Sequence, residues 1–411
     1  MSSRDGRMRV LLLNQYFWPD EAATAQLATD LAEDLVARGD EVTVVASAGA
    51  YAGPAATCRR ETYRGIDIRR VPATSFGRKT KLHRVADYAT FYAGAALELA
   101  RAGRHDVIIV LTTPPLLNTL GVALQALRGE RLVLWVMDVY PEIAVALGVF
   151  PARGLLTAGL RAAARLVYRR ADAVVALGEL MAERLVAAGA PRDRVHVIHN
   201  WADGAAITPI PRAQNAFARE LGLTDELVIG YSGNFGNCHD VTTILEAAKL
   251  LRDRRDILWL FIGDGPRRAE VAAAITRDGL HAQLLPYQPR ARLAESLSAP
   301  DVHLVTILPG FEGLLVPSKL YGCLAAGRAV AYVGPPGTEV ARIIGDGRCG
   351  VAVAPGDAHG LAQQVTRMRG ASRGMGERAR ATFTTGFGRE RLTAAWRAVC
   401  VGRSPRATAA D

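Results

Sequence analysis

Cysteine is scarce in this chain of 411 residues. The five present, Cys58, Cys238, Cys323, Cys349 and Cys400, are scattered, odd in number and never spaced as Cys-x-x-Cys. That excludes a disulfide framework or a zinc knuckle and fits a reducing compartment. Lysine is scarcer still, four among 50 basic residues, so almost every cation is an arginine. Gly-x-Gly-x-x-Gly is missing, which argues against a dinucleotide site and an NAD-dependent oxidoreductase. Asp-x-Asp, His-Glu-x-x-His and His/Cys clusters are missing too, so no metal site is predicted. No 20-to-50-residue repeat and no low-complexity tract occurs apart from a small polar tail after Arg403, which is expected to be disordered. The amino terminus, Met1-Ser2-Ser3-Arg4-Asp5-Gly6-Arg7, is polar and lacks the apolar core of a signal peptide, which predicts a cytoplasmic protein. The uncharged run 107–127 is long enough to span a bilayer. Pro114-Pro115 breaks it and Asn118, Gly121 and Gln125 interrupt it, so it reads as strand, loop and buried helix.

What is present is globular: half the residues are hydrophobic and 22% charged. The length calls for two domains. The net charge of +10 divides evenly between the two halves of the chain, but one stretch stands out. Between Arg59 and Arg84 nine cations face only Glu61 and Asp67. This stretch is either a solvated basic loop or a surface drawn to an anionic bilayer. The helix carrying Arg161, Arg165 and Arg169 at i, i+4 spacing offers a second such face. High pI is the sole feature that favours nucleic acid, and with no recognition motif or basic-aromatic groove no nucleic-acid partner is expected.

Short β-branched runs alternate with helical stretches throughout. Strands are predicted over 10–13, 41–46, 66–71, 107–111, 132–137, 173–177 and 195–198, with a helix over 24–38. The same alternation restarts with strands over 227–231, 258–262, 282–285, 302–307 and 329–333 and helices over 241–252, 267–277 and 320–326. The fold class is therefore α/β, two Rossmann-like doubly wound domains in tandem. Expected boundaries are a first domain over 1–200, a Pro/Gly-bearing linker over 201–225, a second domain over 226–385, and a carboxyl-terminal helix and flexible tail over 386–411. Ligands of such sheets bind at the carboxyl ends of the strands, so the loops of two facing domains would border a common cleft.

Those loops hold the chemistry. After the first strand, Asp20 and Thr24 lie where a helix begins. They either cap it or sit beside an anion held by its free N–H groups. Asp138-Val139-Tyr140-Pro141-Glu142 puts two carboxylates and a phenol at a strand end, with Asp138 the expected contact and capping the alternative role for Asp138 or Glu142. Gly233-Asn234-Phe235-Gly236 opens the second domain with glycines that let backbone approach a phosphate. His239 nearby could supply a proton or positive charge, or be an ordinary polar residue. Gly263-Asp264-Gly265-Pro266 reads as a structural turn with Asp264 capping the next helix. The most informative segment runs from Pro309 through Glu312 and Pro317-Ser318-Lys319 to Gly327. Lys319 falls in the first turn of a helix, where the dipole disfavours a cation unless an anion shares the site. Any diphosphate must then be met by protein cations and backbone N–H groups.

These segments, in this order, resemble the retaining glycosyltransferases of family 4 with the GT-B architecture, in particular bacterial members that build surface polysaccharides and O-antigen repeats. The carriers are Asn14 to Ala25, Asp138 to Glu142, Val197-Ile198-His199-Asn200, Gly230 to Gly236, Phe261 to Pro266 and Phe311 to Gly327. The resemblance implies that the second domain holds a nucleoside diphosphate sugar, UDP-linked by expectation, and the first a glycan or glycolipid acceptor. It implies that Glu312 contacts the transferred sugar, with Asp138 and Lys319 sharing the catalytic assignment. Gly233, Asn234, Phe235, Gly236, Tyr287, Pro317, Ser318 and Lys319 would bind donor, and Asp20, Thr24 and Tyr140 would lie on the acceptor side. No cofactor or metal is expected. The chain departs from the family pattern in placing Leu320 and Gly322 where a second Glu is expected. It also has Asn234 and His239 where relatives carry Arg and Lys, and Met137 where many have His. A natural-product glycosyltransferase and a nucleotide-sugar epimerase share the architecture and stay open.

Overall fold

The computed structural model describes residues 6–49, 58–72 and 81–405. The chain divides into two compact units, residues 1–199 with 390–411, and residues 200–389. The first is built on eight strands: β1 (Arg9–Leu13), β2 (Glu41–Ser47), β3 (Arg60–Tyr63), β4 (Ile66–Val71), β5 (Val107–Leu111), β6 (Arg131–Trp135), β7 (Ala173–Ala176) and β8 (Val195–Val197). They lie in the order β3-β4-β2-β1-β5-β6-β7-β8, all parallel except the antiparallel edge strand β3. The second holds β9 (Leu227–Ser232), β10 (Ile257–Ile262), β11 (Ala282–Leu285), β12 (Val302–Thr306), β13 (Ala329–Val333) and β14 (Gly350–Val353), parallel throughout in the order β11-β10-β9-β12-β13-β14. Helices on both faces cover the central strands. That is why β5, β10, β12 and β13 are buried at every residue and read as continuous apolar runs rather than alternating ones.

The run 107–127 resolves into β5 and the helix Asn118–Arg128. No helix among the described residues is long and apolar enough to cross a membrane. The anticipated linker is not a separate connector, because residues from Asn200 onward belong to the second unit. Trp201, Ile207 and Phe217 are buried there. Local composition hid this, since the apolar residues are spaced singly between Pro209, Pro211 and Gly204.

The carboxyl-terminal helix Arg389–Cys400 belongs with the first unit from Glu390 on. Its Leu392, Trp396 and Val399 recur at i, i+4, i+7 and are buried. Trp396 packs on Trp135 of β6 at 4.4 Å between ring centroids. Arg397 Nε lies 2.8 Å from Asp40 Oδ2, and Asp40 Oδ1 accepts the Met8 N–H at 2.9 Å.

The basic stretch is largely neutralised where it is described. Arg60 and Arg69 reach Glu98, Arg64 reaches Glu33, and Arg70 reaches Glu61. Arg78, Lys79 and the side chains of Lys81 and Arg84 lie outside the described residues, as does the tail beyond 405.

Candidate active site

In the second sheet the winding reverses between β9 and β12, so the loops leaving their carboxyl ends diverge and open a crevice. The loop after β9 begins at Gly233 and ends at Asp240, whose Oδ1 caps the helix Val241–Leu250 by accepting the Thr243 N–H at 2.9 Å. The loop after β12 runs to Ser318. Two bonds tie the loops together: the Leu308 N–H donates to the Cys238 carbonyl at 2.9 Å, and His239 Nδ1 lies 2.8 Å from the Thr306 carbonyl.

The β9 loop rests on the loop after β10. Gly233 and Phe235 donate their N–H groups to the carbonyls of Ile262 and Asp264 at 2.9 and 2.8 Å. The approach is backbone on backbone. A Cβ on Gly263 would meet the Gly233 carbonyl oxygen at 2.0 Å, and one on Gly265 would meet Asn234 Oδ1 at 2.2 Å. Both glycines hold φ near 141°, which L side chains rarely adopt. The turn Gly263-Asp264-Gly265-Pro266 is therefore half of the cradle. Asp264 does not cap the next helix: its Oδ1 accepts the Gly265 N–H at 2.8 Å, and the helix Arg268–Asp278 has no side-chain cap. Arg267 completes the support, donating to the His239 carbonyl and to Thr242 Oγ1 at 2.8 Å each. Sequence reasoning passed over Arg267. Its signal was a cation at a helix start, the argument applied to Lys319.

Lys319 opens the helix Lys319–Ala325 and reaches back beneath the β9 loop. Its Nζ lies 3.6 Å from the ring centroid of Tyr231, and a Cβ on Gly233 would be 3.5 Å from Nζ. That nitrogen is buried and has no hydrogen-bond partner among the described residues. Burial lowers its pKa to about 7, against a smaller upward pull from the Cys238 and Cys323 thiols. Tyr231 is held in place by its own hydroxyl, which donates to the Asn234 carbonyl at 2.7 Å, and by stacking on Phe235 at 4.8 Å.

His239 is not a source of positive charge. Burial and then the Lys319 charge lower its pKa to about 3, so the ring is neutral at physiological pH. The Thr306 carbonyl can only accept, so Nδ1 carries the proton and Nε2 is left as an acceptor.

The structure thus brings Gly233, Asn234, Phe235, Gly236, His239 and Lys319 into one cradle. Glu312 sits in the β12 loop, where its Oε2 accepts the Gly310 N–H at 2.9 Å and a Glu312–Leu315 bridge closes the turn. Pro317 is buried, and Ser318 precedes the helix without capping it by its side chain. Tyr287 is exposed on the loop after β11, whose last carbonyl, Leu285, accepts the Gly263 N–H at 3.0 Å. Among the described residues no group of three or more His, Cys, Asp or Glu could hold a metal ion.

Asp20, Thr24, Asp138 and Tyr140 belong to the first unit, at its own strand ends. The β1 and β5 loops are joined by the Gln15 N–H donating to the Thr113 carbonyl at 3.0 Å. Thr112 Oγ1 accepts from the N–H groups of Met137 and Asp138 at 3.1 and 3.2 Å, fixing the loop after β6. Burial raises the Asp138 pKa to about 6. Tyr140, Thr112, Leu116, Asn118 and Tyr168 line a small pocket. Neither Asp20 nor Thr24 caps the helix Ala23–Ala37. Its N-cap is Ala22, whose N–H donates to Asp20 Oδ1 at 2.9 Å, and Thr24 lies inside the first turn. Glu142 does not cap either, since its carboxylate takes a two-pronged bond from Arg161 at 2.9 Å per prong.

Two Rossmann-like units, each with its candidate residues on the loops at the strand carboxyl ends, are the build of GT-B glycosyltransferases. Comparison with known proteins agrees. Residues 23–201 match the glycosyl transferase 4-like domain and residues 226–369 match glycosyl transferases group 1. The two halves of the chain thus belong to these two glycosyltransferase domain families. It is 33% identical over 275 residues to the probable glycosyltransferase WbjE of Pseudomonas aeruginosa, covering 65% of this chain and 66% of that one. It is 25% identical over 350 residues to the putative colanic acid biosynthesis glycosyl transferase WcaI of Escherichia coli K12, covering 82% and 86%. The fold matches Anabaena HepE, solved with UDP-glucose, at a TM-score of 0.72 and 16% identity, covering 96% of this chain and 100% of that one.

Proposed function

We propose that this chain transfers a sugar, with retention at the anomeric carbon, from a nucleoside diphosphate sugar to a hydroxyl of a lipid-linked glycan during assembly of a surface polysaccharide. The observation that carries the reading is the Lys319 ammonium, buried beside Gly233 without a hydrogen-bond partner. A buried cation is costly unless an anion joins it, and a diphosphate placed over the β9 loop is such an anion. The UDP-glucose bound by HepE, on the same fold, supports a uridine nucleotide, and the polysaccharide role in the name of WcaI supports the acceptor class.

On this reading the bond from the anomeric carbon to the β-phosphate oxygen breaks while one to the acceptor oxygen forms on the same face. The acceptor proton passes to the departing phosphate oxygen. Lys319 and the loop N–H groups stabilise charge as it develops on the leaving diphosphate, the largest expected contribution to rate, and they fill the cationic role a metal ion plays elsewhere. Glu312 orients the transferred sugar. Tyr287 lies by the base, and Pro317 and Ser318 by the phosphates. Asp20, Thr24, Asp138 and Tyr140 serve the acceptor, with Asp138 taking a hydrogen bond from its hydroxyl.

The test is a donor screen by mass spectrometry with UDP, GDP, dTDP and ADP sugars, with and without detergent-solubilised lipid-linked acceptors. Acceptor-dependent product is expected, falling about 100-fold or more in Lys319→Ala and sharply in Glu312→Ala. Sugar isomerisation without acceptor would instead make the chain an epimerase, and unchanged turnover in both variants would remove the assignment of the site.

A further inference from the structure

We propose that the helix Leu155–Arg170 and the segment leading into it dock the first unit onto an anionic phospholipid bilayer. The inference rests on the lipid-linked reading of the acceptor only in that such an acceptor lies in a membrane plane. The helix is anchored from within by Thr157, Ala164, Val167 and Tyr168, which are buried. Its outer face is what the fold leaves without cover. Leu155 is 95% exposed, Leu156 62% and Leu166 53%, and the preceding Leu147 and Val149 are exposed as well. At 3.6 residues per turn Leu155, Ala162 and Leu166 form one stripe, bordered by Arg161, Arg165 and Arg169 on one side and Arg170 on the other.

Charge identifies the occupant. Between Glu142 and Asp172 the sequence holds five arginines and no carboxylate. Arg161 is committed to Glu142 and the Ala152 carbonyl. No ion pair is formed by Arg153, Arg165, Arg169 or Arg170 among the described residues. An apolar stripe flanked by arginines suits a surface offering phosphates above and acyl chains below, with the helix lying in the interfacial plane. The other basic stretch differs: its described arginines at 60, 64, 69 and 70 are spent on Glu98, Glu33, Asp67 and Glu61. Nucleic acid would satisfy the arginines but leave the leucines in water, and a spanning insertion is not open to a helix of 16 residues this rich in arginine.

Co-sedimentation of the full chain with vesicles of phosphatidylcholine, alone or mixed with phosphatidylglycerol, tests this with no acceptor or donor present. At low salt, partitioning is expected to be at least about tenfold stronger on the anionic vesicles and to fall with added salt. Leu155→Asp with Leu156→Asp should lower it about tenfold. Arg165→Glu with Arg169→Glu should abolish the anionic preference. Both pairs should keep the wild type's circular dichroism and its hydrogen-exchange protection in β6 and β7, which shows that the first unit, where the substitutions lie, is folded. Equal partitioning on the two vesicle types, no partitioning, or variants that partition like the wild type would overturn the proposal. Concentration-dependent self-association lost in the leucine variant, without vesicle binding, would overturn it in favour of a contact between copies of this chain. Because vesicle binding is read without turnover, its failure and a failure of the proposed transfer reaction are separate results.

Discussion

A buried ammonium with no hydrogen-bond partner destabilises the unliganded protein, and that cost makes Lys319 informative. Its ordinary pKa is near 10.5 and its folded pKa about 7. Between these values the unfolded chain binds the proton and the folded chain does not. Stability therefore rises with pH across that window, and the penalty is fully present below pH 7. Lys319→Met should raise the stability of the unliganded protein at pH 7 by on the order of 1 kcal/mol while weakening UDP binding, a split read by thermal melts with and without UDP. A bound diphosphate restores the ammonium, so UDP binding near pH 8 should take up close to one proton, and none in Lys319→Met. Calorimetry in two buffers of different ionisation enthalpy measures that difference; equal uptake in the variant would assign the proton elsewhere. The sequence singled out Lys319 through its rarity and its place in a first turn. It could not show the Tyr231 ring beneath the ammonium or the neutral His239 beside it, because both follow from burial by residues 80 to 90 positions away.

At the scale of elements, the strand-to-helix alternation was readable because parallel central strands must be apolar at every position, and most strand spans agree within a residue or two. The edges were less readable. β3, with Arg60, Glu61, Thr62 and Tyr63, has the polarity of a loop, and β14 is only partly buried. The cradle was half readable. Gly233 and Gly236 mark a loop whose backbone is open to close approach, but the Gly263-Asp264-Gly265 turn looked merely local. The contact that explains it lies 30 positions back, where Gly263 abuts the Gly233 carbonyl. Gly263→Ala should therefore cost about 2–3 kcal/mol, since neither backbone can withdraw without breaking the Gly233–Ile262 bond. An alanine at Gly279, where a Cβ would have nothing within 4 Å, tests the effect of positive φ without a close approach and should cost less. Urea unfolding of the two variants makes the comparison, and equal losses would mean the close packing of the loops contributes nothing.

Over the whole molecule, two tandem α/β halves could be read from sequence, but the chain's last crossing could not. A helix after residue 385 was expected to follow the second domain because chain order was the only guide. Its buried face instead completes the first unit: Trp396 on Trp135, Arg397 on Asp40, and the Val399 carbonyl accepting from Arg131 Nε at 3.3 Å. Each contact joins positions more than 250 apart, which no local pattern encodes. One consequence concerns how stability is distributed. Trp396→Ala removes a fully buried indole and should destabilise by roughly 3–5 kcal/mol. That loss falls on the unit most distant in sequence. Hydrogen exchange should therefore quicken in β1, β5 and β6 while β9, β10 and β12 keep the protection they have in the wild type. Faster exchange confined to β9–β14 would place the helix energetically with the second unit, against its contacts.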